Sequence, residues 1–369
     1  MNLAHATIAD ARVQAFRHPL VAPPPLGFCG GPVLDDPALR HTRYHQPVDR
    51  LAADADFSER LDGHYLYAGP VYHHFGHFMA EMAHRFLPAQ RAFGVDGQRW
   101  LMVGAQGGST RLADYPAFVT DALWWFGIDP DDVTIVTRDV VVERLSVAEQ
   151  GSDFGGGAKL GYVAALADHA PDMALFDLPT AARVYVSRRG IPGGGFLGER
   201  YLEDQLEGEG FHIYHPQDHG LVEQMAMYAG AETVVFPEGS ACHGTEMLGL
   251  GMMGRTVLLS RRPSHREIFT RVLLPRSREF HVFDGASYLG SAWPAGEPSE
   301  HMGVSLFDPA ALVAFMRACG VARLEGFDAA AYRDAARADL MQYVAGAEPG
   351  AARGLIEQFR VVMREAAVA

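Results

Sequence analysis

The sequence predicts a two-domain α/β protein, on three observations. Short apolar runs such as Trp100-Leu101-Met102-Val103 and Thr233-Val234-Val235-Phe236 alternate with helical stretches of about 10–15 residues, as strands do when right-handed crossovers join them in a parallel sheet. A tight glycine turn, Pro237-Glu238-Gly239-Ser240, stands directly after one of these runs. The 369 residues exceed one ordinary core and divide into about two of roughly 150–200 residues each.

Residues 1–60 are rich in proline and polar side chains, including Pro23-Pro24-Pro25 and Asp35-Asp36-Pro37, and are expected to form an irregular leader with at most short edge strands. An N-terminal α/β domain should follow over 61–178. It opens with a strand at Tyr65-Leu66-Tyr67 and a helix over 75–93, in which Phe78, Met82, Phe86 and Leu87 form an apolar stripe. A strand at 100–103, a helix around 117–126, a strand at 133–136 and a helix over 161–168 complete it. The second domain, 179–305, starts with the strand Arg183-Val184-Tyr185-Val186-Ser187, which ends in Arg188-Arg189. Further strands are expected at 211–214, 233–236 and 256–259, with helices over 198–207 and 221–229. The glycine turn should lead into another helix at Ser240. Residues 306–369 form a helical C-terminal segment, with alanine-rich helices at 310–319, 329–344 and 355–367.

A formal net charge of −14 argues against nucleic acid as a partner, because binding phosphate backbones requires a basic face. Lys159 is the only lysine, and Leu160 after it breaks the P-loop pattern. Cys29, Cys242 and Cys319 are far apart and lack C-x-x-C spacing, so reduced thiols and a cytoplasmic location are expected. No apolar run approaches the ~18 residues of a membrane span, which restricts any membrane contact to peripheral association at the inner face.

Three stretches carry candidate chemistry. His73, His77 and Glu81 share one face of the first helix, beside His74, His84 and Arg85. Imidazoles four residues apart could hold a metal, but H-x-x-x-H is not the H-E-x-x-H pattern and no third ligand is evident; lining a cleft that hydrogen-bonds a polyhydroxylated ligand is the preferred reading. Gly193, Gly195 and Gly198 satisfy G-x-G-x-x-G between a strand and a helix, which admits a nicotinamide-dependent oxidoreductase. Residues 188–192 separate those glycines from the strand, however, and a glycine loop beside Arg188 and Arg189 suits an external diphosphate better. The third stretch is the turn around Glu238 and Gly239, with Ser240 and His243 after it.

The order of these motifs resembles glycosyltransferase family 61 and its bacterial branch. The family's Asn-Tyr-Gly-His-Phe, followed by glutamate and arginine, is similar to His74-Phe75-Gly76-His77-Phe78, Glu81 and Arg85. Its Tyr-Ile-Ser-Arg-Arg strand resembles Tyr185-Val186-Ser187-Arg188-Arg189, and its following glutamate is matched at Glu199. The Gly-Phe and Glu-Gln positions resemble Gly210-Phe211 and Glu223-Gln224. The late Gly-Pro-His-Gly-Ala turn corresponds to Phe236–Ala241, with Glu238 in place of the histidine and His74 in place of the early asparagine.

The resemblance implies a GT-B architecture, two Rossmann-like domains facing across a cleft. It also implies a transferase that moves a sugar from a nucleotide-sugar donor to a glycan acceptor, in an inverting, metal-independent reaction without a further cofactor, as in bacterial surface polysaccharide synthesis. On that reading the base is His77 or Glu81, with Glu238 as alternative. Arg188, Arg189, Gly239, Ser240 and His243 bind the donor, and His73, His74 and Arg85 line the acceptor side. A non-catalytic glycan-binding protein remains the other class consistent with the histidine-rich face.

Overall fold

Apolar runs of both kinds, alternating and continuous, collect into two principal sheets. The computed structural model describes residues 2–18, 28–95, 97–170, 178–191, 194–262, 264–292 and 302–365. The fold is mixed α/β. It divides into two compact units, one of Met1–Leu175, Gly220–Met225 and His243–Met252, the other of Phe176–His219, Ala226–Cys242 and Met253–Ala369.

The first unit is built on a seven-stranded mixed sheet in the order Asp49–Arg50, Phe28–Pro32, His5–His18, Val140–Ala148, Glu59–Pro70, Arg99–Val103, Val133–Val136. The last four are mutually parallel, and His5–His18 pairs antiparallel with Phe28–Pro32 on one side and Val140–Ala148 on the other. The leader is therefore not irregular. Its first 14-residue strand lies inside the sheet, with Ala11, Val13 and Ala15 turned to the core. Its small and polar residues carry little local strand preference; pairing on both edges supplies the order, as sheet context does generally.

The expected long helix over 75–93 is built in four pieces. A short α turn at Phe75–His77 widens into a π turn at Phe78–Met82, tightens to a 3₁₀ turn at Ala83–Arg85, and resumes as α-helix over Phe86–Phe93. The stripe Phe78, Met82, Phe86 and Leu87 is buried, as its spacing predicts. Single π turns within helices occur often at functional sites.

The second unit holds a five-stranded parallel sheet, ordered His212–Tyr214, Arg183–Val186, Thr233–Pro237, Met253–Leu259, Ser277–Phe283. Numbered along the chain this order is 2-1-3-4-5, a doubly wound sheet. Its strand order reverses between Arg183–Val186 and Thr233–Pro237, and ligands of such sheets lie outside the carboxyl ends of the strands at that point. A smaller sheet joins Phe196–Leu197, Val304–Phe307 and Ala286–Gly290. The helices Pro309–Ala318, Ala329–Val344 and Pro349–Glu365 belong to this unit's core, because Leu312, Met316, Tyr332, Leu340, Leu355 and Phe359 are buried in one cluster with Tyr185, Val235 and Leu259. After Pro237 the expected α-helix is only a six-residue 3₁₀ segment, Ser240–Thr245. Serine, threonine and Gly244 are weak helix formers, and Gly249 and Gly251 soon follow.

Candidate functional site

In the second unit, three neighbouring strands deliver their first loop residues to one place. Arg183–Val186 continues into Ser187-Arg188-Arg189, Thr233–Pro237 into Glu238-Gly239, and Met253–Leu259 into Ser260-Arg261-Arg262. Arg188, Arg261 and Arg262 are all buried. Glu238 is completely buried and accepts from the backbone N–H groups of Arg261 (2.8 Å) and Arg262 (3.0 Å), from Arg262 Nε (2.6 Å) and from Ser260 Oγ (3.3 Å). Its carboxylate thus organises the loop after the neighbouring strand.

Arg188 forms no ion pair among the described residues; its Nη2 donates to Gly194 O at 2.9 Å, and its Nε has no hydrogen-bond partner. A Cβ built on Gly239 would overlap Arg188 Nη1, so only glycine lets the guanidinium lie against that turn. Burial pushes Arg188 below the usual arginine range, the Arg262 charge adding to the shift. Arg261 is pushed down to about 9 by burial and by the charges of Arg188 and Arg262. Arg188 and Arg261 both remain cations near neutral pH. Arg188, buried without an ion pair among the described residues, is positive charge in a place that a di- or trivalent anion would relieve.

Glu199, the first residue of the helix Glu199–Gly208, accepts from Arg188 N (3.0 Å) and Tyr185 Oη (3.1 Å). Burial raises its carboxyl to about 7. Arg189 turns away from the cluster: its Nη1 donates to Glu203 at 2.7 Å, and its side chain is 41 % exposed.

In the first unit the centre is Glu81, buried within the π turn. It accepts from His41 Nε2 (3.0 Å), His77 Nδ1 (2.8 Å), and Arg43 Nε (2.6 Å) and Nη2 (2.9 Å). Burial alone would raise its pKa, but the hydrogen bonds from His41 and His77 and the charge of Arg43 hold it well below the usual carboxylate range. An ionised carboxylate only accepts, so His77 donates from Nδ1, and in its neutral form its lone pair then lies on Nε2. With 17 % side-chain exposure, His77 is open to solvent. Its ring lies among Tyr72, His74 and Phe154, at centroid distances of 6.1, 4.9 and 5.6 Å. This pair can remove a proton from a hydroxyl and stabilise the resulting imidazolium.

The family model described as Glycosyltransferase 61 matches residues 75–251. The chain carries a glycosyltransferase family 61 domain. It is accordingly a glycosyltransferase. No curated protein matches it.

The family 61 domain contains His77, Glu81, Arg188, Glu238 and Gly239, whereas His41 and Arg43 precede it and Arg261 and Arg262 follow it. Among the other expected residues, His74 caps the short helix, its Nδ1 3.4 Å from His77 N, and the His73 ring packs at a tilt against Tyr115, centroids 4.8 Å apart. Arg85 is deeply buried. Its guanidinium donates to the carbonyls of Ala148, Leu39 and Arg40 and lies over the Tyr67 ring, which commits it to tying the turn at Leu39 and Arg40 to the end of the strand Val140–Ala148. His243 is buried in the first unit with Nδ1 3.1 Å from Glu246 Oε1, and Ser240 is exposed. Of the G-x-G-x-x-G match, Gly198 packs against Tyr332, and Gly193 lies outside the described residues. Among the described residues no group of three or more His, Cys, Asp or Glu gathers as a metal ion would require.

Arg261 and Arg262 were legible in one respect: Leu259-Ser260-Arg261-Arg262 repeats Val186-Ser187-Arg188-Arg189, each at the end of a strand. His41 and Arg43 gave no such signal, being basic residues in a segment read as irregular.

Proposed function

We propose that this glycosyltransferase moves a sugar from a nucleoside diphosphate donor to a glycan hydroxyl with inversion and without a metal, on a GT-B plan in which the second unit binds the donor and the first supplies the base. The acceptor is a bacterial surface polysaccharide in this reading, built on the cytoplasmic side of the membrane. In the reaction the acceptor oxygen attacks the anomeric carbon as the bond from that carbon to the diphosphate oxygen breaks. The diphosphate leaves with the electron pair and is received by Arg188, Arg261 and Arg262; the hydroxyl proton passes to His77 Nε2. Glu81 holds His77 in the required tautomer and offsets the imidazolium charge. Glu238 acts here by holding Arg262 and the backbone at Arg261, not as the base.

One observation carries the proposal: a buried guanidinium with an unpartnered Nε, laid over a glycine at the strand-order reversal of a doubly wound sheet. The test is calorimetric titration of wild type and Arg188→Ala with nucleoside diphosphates. Loss of a charged hydrogen-bonding partner should weaken binding by at least about tenfold. Equal affinities would refute the donor assignment.

A further inference from the structure

The glycine loop after Arg188 is held by residues far outside the family 61 domain. Gly194 N donates to Met302 O at 3.0 Å, Gly195 O accepts from Ser305 N at 2.9 Å, and Phe196–Leu197 pairs in parallel with Val304–Phe307. Tyr332, fully buried on the helix Ala329–Val344, closes that pair: its hydroxyl donates to Leu197 O and accepts from Phe307 N, both at 3.0 Å. Two turns further along the same helix, Asp339 Oδ2 accepts from Gly198 N at 2.7 Å.

Gly198 has φ +76°, and a Cβ there would stand 2.6 Å from the Tyr332 ring, so loop and helix are in direct contact. The loop returns to Arg188 at both ends. Gly194 O takes Nη2 of its guanidinium, and Glu199, next after Gly198, takes its backbone N–H. The strand Val304–Phe307 and its flank also hold the second cation, since Ser305 Oγ donates to Arg261 O at 2.8 Å and Arg261 Nη1 donates to Gly303 O.

We propose that Tyr332 and Asp339 are positioning residues of the anion site, and that the helix Ala329–Val344 is thereby part of donor binding. They fix the loop from Gly194 to Glu199 and, through it, the guanidinium of Arg188 over Gly239. The inference rests on the donor reading above. A guanidinium buried without an ion pair binds an anion tightly only while its fork is held in place, because any freedom it regains must be lost again on binding. Removing the Tyr332 hydroxyl leaves Leu197 O and Phe307 N without that partner, and removing the Asp339 carboxylate does the same to Gly198 N.

The test is titration of the full chain with inorganic pyrophosphate, comparing wild type, Tyr332→Phe, Asp339→Ala, Asp339→Asn, Arg188→Ala and, as a control on the exposed side of the same helix, Arg337→Ala. Tyr332→Phe and Asp339→Ala are expected to bind about tenfold more weakly, the effect of one or two lost buried hydrogen bonds. Arg337→Ala should match wild type. Asp339→Asn, which keeps an acceptor oxygen, should recover most of the loss, a rescue that a merely charged surface residue would not show. If Tyr332→Phe and Asp339→Ala bind like wild type while Arg188→Ala does not, the positioning role is refuted and the donor site stands. If Arg188→Ala also binds like wild type, the donor reading falls and the positioning role with it.

Discussion

Glu238→Gln separates an organising role from a chemical one. The substitution keeps size and an acceptor oxygen but removes the carboxylate that ion-pairs with Arg262. Arg262 then stays buried without its counter-charge, beside Arg188 and Arg261. Breaking a buried ion pair from one side costs about 3–5 kcal/mol. For a unit of this size each kcal/mol corresponds to about 2–4 °C, so the melting temperature should fall by roughly 6–20 °C. The emptied cluster carries more surplus positive charge than before, so pyrophosphate should raise the melting temperature of the variant by more than it raises that of wild type. Differential scanning calorimetry with and without pyrophosphate, paired with initial-rate measurements, reads both effects. A variant that melts within about 1 °C of wild type would refute the organising role. So would an inactive variant whose melting and pyrophosphate response are both unchanged, and that result would mark Glu238 as a reacting group.

Three further expectations concern Glu199, His77 and Glu81. Burial raises Glu199 to about 7, so the folded state holds its proton where the unfolded chain has lost it. The stability it contributes is complete below about pH 4.5 and disappears as pH rises through 7, a span worth roughly 3 kcal/mol. Urea melts at pH 5 and 8 should show this slope in wild type and lose it in Glu199→Gln. For the first unit, His77→Ala should lower kcat by at least about a hundredfold while leaving pyrophosphate affinity unchanged. Glu81→Gln should lower kcat and stability together, because it also strips Arg43 and His41 of their carboxylate. Steady-state rates and melting curves check both, and a fully active His77→Ala would remove it as the base.

Most of the second unit was legible because continuous apolar strands and weakly helical connections leave a strong local trace: Val184–Val186 and Val234–Phe236 are buried as their composition demands. Arg188 could be placed at a strand end by the same reasoning. That Arg189 would instead pair with Glu203 depends on a helix fourteen residues away, which no local pattern encodes. The strands Val140–Ala148 and His5–His18 were missed for a related reason. Glu143-Arg144 interrupts the first, alanines dilute the second, and each is stabilised by the other at register partners such as Ile8 and Leu145. The π turn was hidden too, since a helical stripe predicts a smooth helix and its spacing does not mark the widened turn at Phe78–Met82.

The position of His5–His18 has a consequence for synthesis. His5 pairs with Ala148, so this strand waits unpaired on that side until the following 143 residues have been made. At about 5–20 residues per second that interval is roughly 7–30 s. Throughout it one strand edge is exposed to other nascent chains, and the segment carrying His41 and Arg43 follows a strand that is not yet docked. The bonds from His41 and Arg43 to Glu81 come from that segment, whereas His77 reaches Glu81 within its own turn, so a chain stalled before Ala148 would carry the histidine face without the sheet that supports it.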